Sequence, residues 1–308
     1  MNINWYPGHM LKTKKQIIED LKLIDVVVEI LDARIPLSSQ NPEIAKICAN
    51  KKHILILNKS DLAEEIENKR WVEYFKSTNK VAVIVDSNSG KGIKEVLKQI
   101  ELIMEEDIQK AIAKGITQKR IRLMVLGVPN VGKSSFINRI CNRKSAIVGN
   151  KPGVTKQKQW VKVSGNIELL DTPGVLWPKL DNEEVALNLA YVGTIKDDLI
   201  IKVDVAYSLL KYLYENYKTN ILERYDLTES VGAHDCAQYE EDDEIYNLMQ
   251  EIAKKRGALL SGGNFDDEKV ATIILTEFRS GKIGRITLET CENRQSALLI
   301  FTRKFLNV

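Results

Sequence analysis

Five short apolar runs punctuate the first part of the chain, and each stops at a polar or glycine-containing segment. Val26-Val27-Val28-Glu29-Ile30-Leu31 stops at Asp32-Ala33-Arg34, and His53-Ile54-Leu55-Ile56-Leu57 stops at Asn58. Val81-Ala82-Val83-Ile84-Val85 stops at Asp86-Ser87, Arg122-Leu123-Met124-Val125-Leu126 at Gly127, and Ile167-Glu168-Leu169-Leu170 at Asp171. Short continuous apolar runs of this kind predict strands buried on both faces of a parallel sheet. Helical patterns lie between them, over 93–105 and 134–141. The alternation predicts an α/β fold with a doubly wound, mostly parallel sheet. After Pro178 the texture changes, and helical patterns follow over 184–193, 203–217, 243–255 and 267–280, with Gly262-Gly263-Asn264 separating two of them. The acidic run 240–244 sits near a helix start, where it complements the helix dipole. The expected organisation is a first domain at 1–178 and a small all-α C-terminal domain at 183–308, its helical patterns ending near 290.

The segments that end these runs carry the candidate chemistry. Ligands of open α/β sheets bind at the carboxyl ends of the strands, so the motifs are expected to converge on one site. Gly127-Val128-Pro129-Asn130-Val131-Gly132-Lys133-Ser134 is a complete phosphate loop. Its glycines allow a tight turn that aims backbone N–H groups at phosphate oxygens. Asn130, Val131, Gly132, Lys133, Ser134 and Ser135 are the expected phosphate-binding residues. Lys133 would reach the β- and γ-phosphates, and the Ser134 hydroxyl would bind Mg²⁺.

Asn58-Lys59-Ser60-Asp61 has the form of a guanine reader. The Asp61 carboxylate can accept from the ring N–H and the exocyclic amine of guanine, a pair of donors that adenine lacks. The Lys59 stem can cover the base, and the Asn58 amide can tie two loops together. Asp86-Ser87-Asn88 is a candidate second base loop acting through its backbone N–H groups, although Ser-Asn-Ser-Gly is also an ordinary turn. Asp171-Thr172-Pro173-Gly174 has the form of a γ-phosphate sensor. Asp171 would serve the Mg²⁺ water shell, and the Gly174 N–H would face the γ-phosphate. Thr155 is the candidate for the other Mg²⁺ ligand, against the alternative of an ordinary loop threonine. The order is base, phosphate, sensor, whereas most GTP-binding domains begin with the phosphate loop. That order predicts a circularly permuted P-loop GTPase domain that binds GTP and GDP.

Composition adds limits. The net charge of +3 says little about partners, but no acidic residue occurs from Ser134 to Ile167. That stretch carries Arg139, Arg143, Lys144, Lys151, Lys156, Lys158 and Lys162, which suits either a solvated face or a surface for RNA phosphates. No segment approaches the apolar length of a membrane span, and the first residues lack a signal-type apolar run. The four cysteines show no zinc or redox spacing, and Cys48 and Cys141 lie in apolar surroundings. A cytoplasmic chain with buried free thiols, no membrane contact and a monomeric state is expected.

Trp5-Tyr6-Pro7-Gly8-His9-Met10 and Asp32-Ala33-Arg34-Ile35-Pro36 join the reader, the phosphate loop, Pro152-Gly153-Val154-Thr155 and the sensor in a fixed order. In that order the chain resembles the ribosome biogenesis GTPase A family, circularly permuted GTPases of the YlqF/YawG type. The resemblance implies GTP hydrolysis, binding to the large ribosomal subunit and its rRNA, and a late role in its assembly. It also implies that the helical domain contacts RNA and that the segment bearing His9 lies near the nucleotide. Many regulatory GTPases carry a water-orienting glutamine just after the sensor glycine, where this chain has Val175. His9 is therefore the catalytic candidate, against the alternatives of packing beside Trp5 or contacting RNA. Asn130 stands where related potassium-activated GTPases hold a monovalent cation, so a K⁺ site is expected there. The alternative function is a GTP-gated RNA-binding module in which hydrolysis only resets docking. A small-molecule kinase is disfavoured because kinase chemistry has no need of a guanine reader.

Overall fold

A computed structural model of the chain describes residues 15–142, 160–170, 182–228 and 241–292. Strands β1 (Val26–Asp32), β2 (Lys52–Asn58), β3 (Val81–Ile84), β4 (Ile121–Leu126), β5 (Trp160–Ser164) and β6 (Ile167–Leu170) form one sheet in the order β3-β2-β1-β4-β6-β5. Every neighbouring pair is parallel except β5 with β6. All seven residues of β1 are buried, so both faces of the sheet are covered at its centre. Its neighbours are β2 on one side and β4 on the other. From β1 the chain steps outward through β2 and β3, then resumes beside β1 at β4. The crevice between β1 and β4 is thus the topological switch point, where ligands of such sheets bind.

Helix α1, described over 15–20, and α2 (Pro42–Ile47) close one apolar cluster. Ile17, Leu21, Ile24, Ile44 and Cys48 pack there against Val27, Met124, Leu126 and Leu170. Helix α3 (Glu65–Ser77) closes another, with Trp71 and Phe75 against Leu31, Leu55 and Leu57. The Trp71 and Tyr74 rings meet edge to face with centroids 5.3 Å apart. Helix α4 (Ile93–Ala113) runs two turns beyond the expected 93–105 and packs on β2 and β3, and α5 (Lys133–Ile140) packs on β4. Cys48 and Cys141 are buried free thiols, and burial with nearby Glu29 pushes the Cys48 thiol up to about 12. Among the described residues no helix is long and apolar enough to cross a membrane.

The described residues group into two compact units. The first holds the sheet and also takes in the segment from Thr287 onward, and the second is Glu184–Ile286. The sequence reading assigned all of 183–308 to the helical domain. Residues 287–292 instead hydrogen-bond to the sheet-bearing unit, through Arg34, Leu37, Ser38, Glu64, Glu67 and Trp71. The second unit is helical: α6 (Glu183–Tyr191), α7 (Lys202–Asn216), α8 (Lys218–Tyr225), α9 (Glu241–Arg256) and α10 (Asp267–Arg279). Buried Leu209, Leu210 and Leu213 of α7 face a core shared with α9 and α10, to which Leu248, Ile252, Ile274 and Phe278 also belong. Arg279 donates to the carbonyls of Ala190 and Tyr191 at the end of α6, where helical carbonyls lack intrahelical partners. Arg224 forks onto Glu277 at 2.6 and 3.0 Å, tying α8 to α10.

Candidate nucleotide site

Three loops converge at the carboxyl ends of β2, β3 and β4, and one side chain joins them. Asn58, 1% exposed, is the last residue of β2. Its Nδ2 donates to the Val131 carbonyl in the phosphate loop at 2.7 Å. Its Oδ1 accepts from the Ser87 hydroxyl at 2.7 Å and from the Ser87 N–H at 3.2 Å. A buried amide that donates to one loop and accepts twice from another in this way fixes the spacing of all three loops. The sequence candidates 58–61, 86–87 and 130–135 are thereby brought together.

The phosphate loop owes its shape to backbone conformation. Asn130 has φ 62° and Gly132 has φ 91°, both in the left-handed region. A Cβ on Gly132 would stand 2.4 Å from Asn58 Nδ2, and one on Gly127 would stand 2.5 Å from the Ile30 carbonyl oxygen. Glycine is required at both places by close approach. Helix α5 starts at Lys133, so the positive end of its dipole lies beside this turn. Lys133 Nζ donates to the carbonyl of Val128, five residues back, at 2.6 Å. Ser134 and Ser135 are half-buried in the first turn of α5.

The loop that carries Asn58 to Asp61 is organised by buried charge. Asp32 ends β1 directly beside Asn58 in the strand register and is fully buried. Arg34, 1% exposed, grips it in a fork at 2.9 and 2.8 Å, and Lys59 Nζ lies 3.0 Å from Oδ2. Burial raises the Asp32 pKa, but Arg34 and Lys59 outweigh it and hold the carboxyl well below the usual carboxylate range. Burial likewise pulls the Lys59 ammonium below its ordinary value, against the attraction of Asp32 and Asp61. Lys59 has φ 58°, and the turn that this makes carries the chain on to buried Ser60 and half-buried Asp61. Ser60 is pinned at both backbone groups, its N–H to the Val85 carbonyl and its carbonyl to Asn68 Nδ2. Sequence reasoning quoted Asp32 and Arg34 as part of a pattern without giving them a task. The signal that could have found one is the shared strand end, Asp32 opposite Asn58.

The third loop closes by its own turn. Asp86 Oδ1 accepts from the N–H groups of Asn88 and Ser89, and Asp86 bridges to Lys91. Burial opposes ionisation of Asp86, but those hydrogen bonds prevail and its pKa falls. Arg139 of α5 donates to the carbonyls of Ser87 and Asn88. This residue had been grouped with a basic stretch that could meet RNA, whereas its guanidinium braces the third loop against the phosphate-loop helix. His9, Thr155, Asp171, Gly174 and most of that basic stretch lie outside the described residues.

The arrangement suits a guanine nucleotide. A glycine cradle beside a helix N-terminus offers N–H donors to phosphates, and a pinned loop carries a carboxylate toward a purine edge. Among the described residues no group of three His, Cys, Asp or Glu side chains could hold a metal by itself. A Mg²⁺ site built on a serine hydroxyl and phosphate oxygens needs no such group.

Similar proteins decide the family. Ribosome biogenesis GTPase A of Bacillus cereus is 42% identical over 292 residues, covering 95% of both chains. The Thermotoga maritima protein of the same name is 30% identical over 291 residues, covering 94% of this chain and 95% of that one. The chain belongs to the ribosome biogenesis GTPase A family. It is a GTP hydrolase with a circularly permuted P-loop domain. The crystal structure of GNP-bound YlqF from T. maritima matches with a TM-score of 0.62 at 27% identity, over 91% of this chain and 98% of that one. Its GDP-bound form matches equally well, at 26% identity. A family model described as 50S ribosome-binding GTPase matches residues 122–255. That match begins at β4, the strand before the phosphate loop, and leaves Asn58 to Asp61 upstream, as the permuted order requires.

Proposed function

We propose that this GTPase assists assembly of the large ribosomal subunit, binding that subunit and its rRNA and hydrolysing GTP faster when bound. The observation that carries the reading is the Asn58 joint, which ties a guanine reader to a phosphate loop in permuted order. The names of its relatives support the process assigned to it. In this reading Asp61 accepts from guanine, the Lys59 stem covers the base, and the Ser87 backbone supports it from the third loop. The N–H groups from Asn130 to Ser135 surround the phosphates, and Lys133 exchanges the Val128 carbonyl for β- and γ-phosphate oxygens. Mg²⁺, held by Ser134 and Thr155 with Asp171 behind its water shell, would neutralise charge on those oxygens. The Gly174 N–H would serve the γ-phosphate.

Hydrolysis transfers the γ-phosphoryl group to water and leaves GDP with the bridging oxygen. With valine after the sensor glycine, His9 orders or deprotonates that water once the ribosome brings its segment to the site. A K⁺ ion, were one bound, would be held by Asn130 and would supply charge beside the leaving phosphate oxygens. The test is GTP turnover with and without purified large-subunit particles. Stimulation of about tenfold or more, lost in His9→Ala, is expected for a group of this kind. Equal turnover with and without particles overturns the reading.

A further inference from the structure

Residues 287–292 follow the helical unit in sequence and return to the sheet-bearing unit beside the base reader. The Leu288 and Glu289 N–H groups both donate to the carbonyl of Arg34, at 2.9 and 3.3 Å. The Glu289 carboxylate accepts from the N–H of Leu37 at 2.6 Å, from the N–H of Ser38 at 2.9 Å and from the Ser38 hydroxyl. It thus gathers the turn that follows Arg34. Trp71 Nε1 donates to the Glu289 carbonyl at 2.8 Å, and the Thr287 hydroxyl accepts from the Glu64 N–H at the start of α3. Cys291 N–H donates to Glu67, which also pairs with Arg70. Thr287 and Leu288 are themselves buried. This is a strap, held at both backbone and side chain, on the loop whose Arg34 fixes Asp32 and, through it, Lys59.

We propose that Glu289 is a positioning residue for guanine-nucleotide binding, and that the strap 287–292 sets the reader loop through Arg34, Asp32 and Lys59. The inference rests on the reading of Lys59 as part of the base site. Its physical content is a relay of charge-assisted contacts. The strap fixes where the Arg34 backbone lies. The guanidinium then fixes the Asp32 carboxylate, and that carboxylate fixes the ammonium whose stem covers the base. Because the strap continues directly from Ile286, the last residue of the helical unit, an event that pulls on that end of the unit would reach the base through the same relay. Linkage makes the effect reciprocal: if the strap favours base binding, base binding must stabilise the strap.

Two measurements on the full-length protein test this. The first needs no substitution. Hydrogen exchange of the Leu288 and Glu289 amides is followed in wild type with and without GDP. Slower exchange at these amides on saturation is expected, and unchanged exchange overturns the proposal. The second compares GDP affinity, GDP-over-ADP preference and melting temperature in Glu289→Ala, Glu289→Gln, Lys59→Met and Asp61→Ala. Glu289→Ala is expected to weaken GDP binding by about tenfold, the scale of a lost hydrogen bond to a charged group, and to reduce the preference over ADP. Glu289→Gln retains a carbonyl acceptor and should recover part of both. A purely structural Glu289 would lower the melting temperature without changing the nucleotide preference, and that result overturns the proposal. Weaker GDP binding in Lys59→Met with none in Glu289→Ala refutes the strap alone. Unchanged binding in Lys59→Met, which keeps the stem and loses the ammonium, refutes the relay through Asp32, and unchanged preference over ADP in Asp61→Ala refutes the base-site reading beneath it.

Discussion

Lys59 and Lys133 belong to the two sides of one site, and the protein holds them differently. Lys59 lies 3.0 Å from the buried Asp32 carboxylate, which Arg34 also grips. Lys133 donates to a backbone carbonyl of its own loop at 2.6 Å. Both donors are ammonium groups, but Lys59 meets an opposite charge, on a buried carboxylate that Arg34 already holds. In the proposed reading the base side is therefore built before the nucleotide arrives. The phosphate side has a rigid turn, and in that reading its lysine exchanges a neutral carbonyl for phosphate oxygens. Selectivity benefits from fixed geometry, since a misplaced acceptor discriminates poorly, and phosphate contact benefits from a group free to follow the reacting oxygens.

The largest expected effect comes from breaking the base side at its centre. Asp32→Asn leaves the Arg34 and Lys59 charges buried without their carboxylate, and should lower unfolding stability by about 3–5 kcal/mol in urea titrations. Its pH dependence has a definite sign. The folded pKa of Asp32 is depressed, so its contribution is complete above the usual aspartate value near 4 and is lost as pH falls toward the folded value. The stability gap between wild type and Asp32→Asn should hold from about pH 7 to pH 5 and shrink in more acidic buffer. A gap that widens on acidification would show that the carboxylate is not the stabilising partner.

Lys133→Ala should act on the opposite quantity. Lys133 is half-buried and meets the neutral Val128 carbonyl, so stability should fall less than in Asp32→Asn. Turnover of GTP should fall by about a hundred- to a thousandfold, the scale of losing one donor that serves the developing charge. The contrast fails if Lys133→Ala unfolds the protein or if Asp32→Asn spares its stability. Gly132→Ala attacks the joint between the two sides. The substitution puts a methyl 2.4 Å from Asn58 Nδ2, on a backbone with φ 91°. A cost of about 2–3 kcal/mol in stability is expected, with faster GDP release, because Asn58 must yield its bond to Val131. If release is unchanged, the Asn58 amide does not couple the loops.

The parallel strands were legible because burial on both faces writes continuous apolar runs into the sequence. Strand β5 was not, since Trp160-Val161-Lys162-Val163-Ser164 alternates as a half-buried edge does and shows no such run. Helix α3 hid for another reason: Glu67 and Asn68 are buried along with Trp71 and Phe75, so its inner face reads as polar. Helix α8 went unread: a single residue separates it from α7, and the helical pattern over 203–217 stops before it. In the site, the loops that carry chemistry were visible as local motifs. The residues that position them were not. Arg34 grips Asp32 from two residues away, but Glu289 reaches Leu37 across 252 positions, and no local pattern encodes that pairing.

Arg139 supplies the smallest and most discriminating test. It sits on α5, which the phosphate loop opens, yet it donates to the carbonyls of Ser87 and Asn88 on the base side. The residue is exposed, so water competes for both bonds and their net worth is low. Arg139→Met keeps the length of the side chain and removes the donors. GDP affinity should fall by about three- to tenfold, and the melting temperature should barely move. Arg139→Lys can replace one bond and should lie between. If Arg139 serves only RNA, GDP affinity without ribosomal particles will be unchanged in both variants, while particle binding weakens and its salt dependence flattens. Should GDP affinity fall as expected, the two sides of the site are joined twice, through buried Asn58 and at the surface through Arg139. The third loop would then report the state of the phosphate-loop helix to the base.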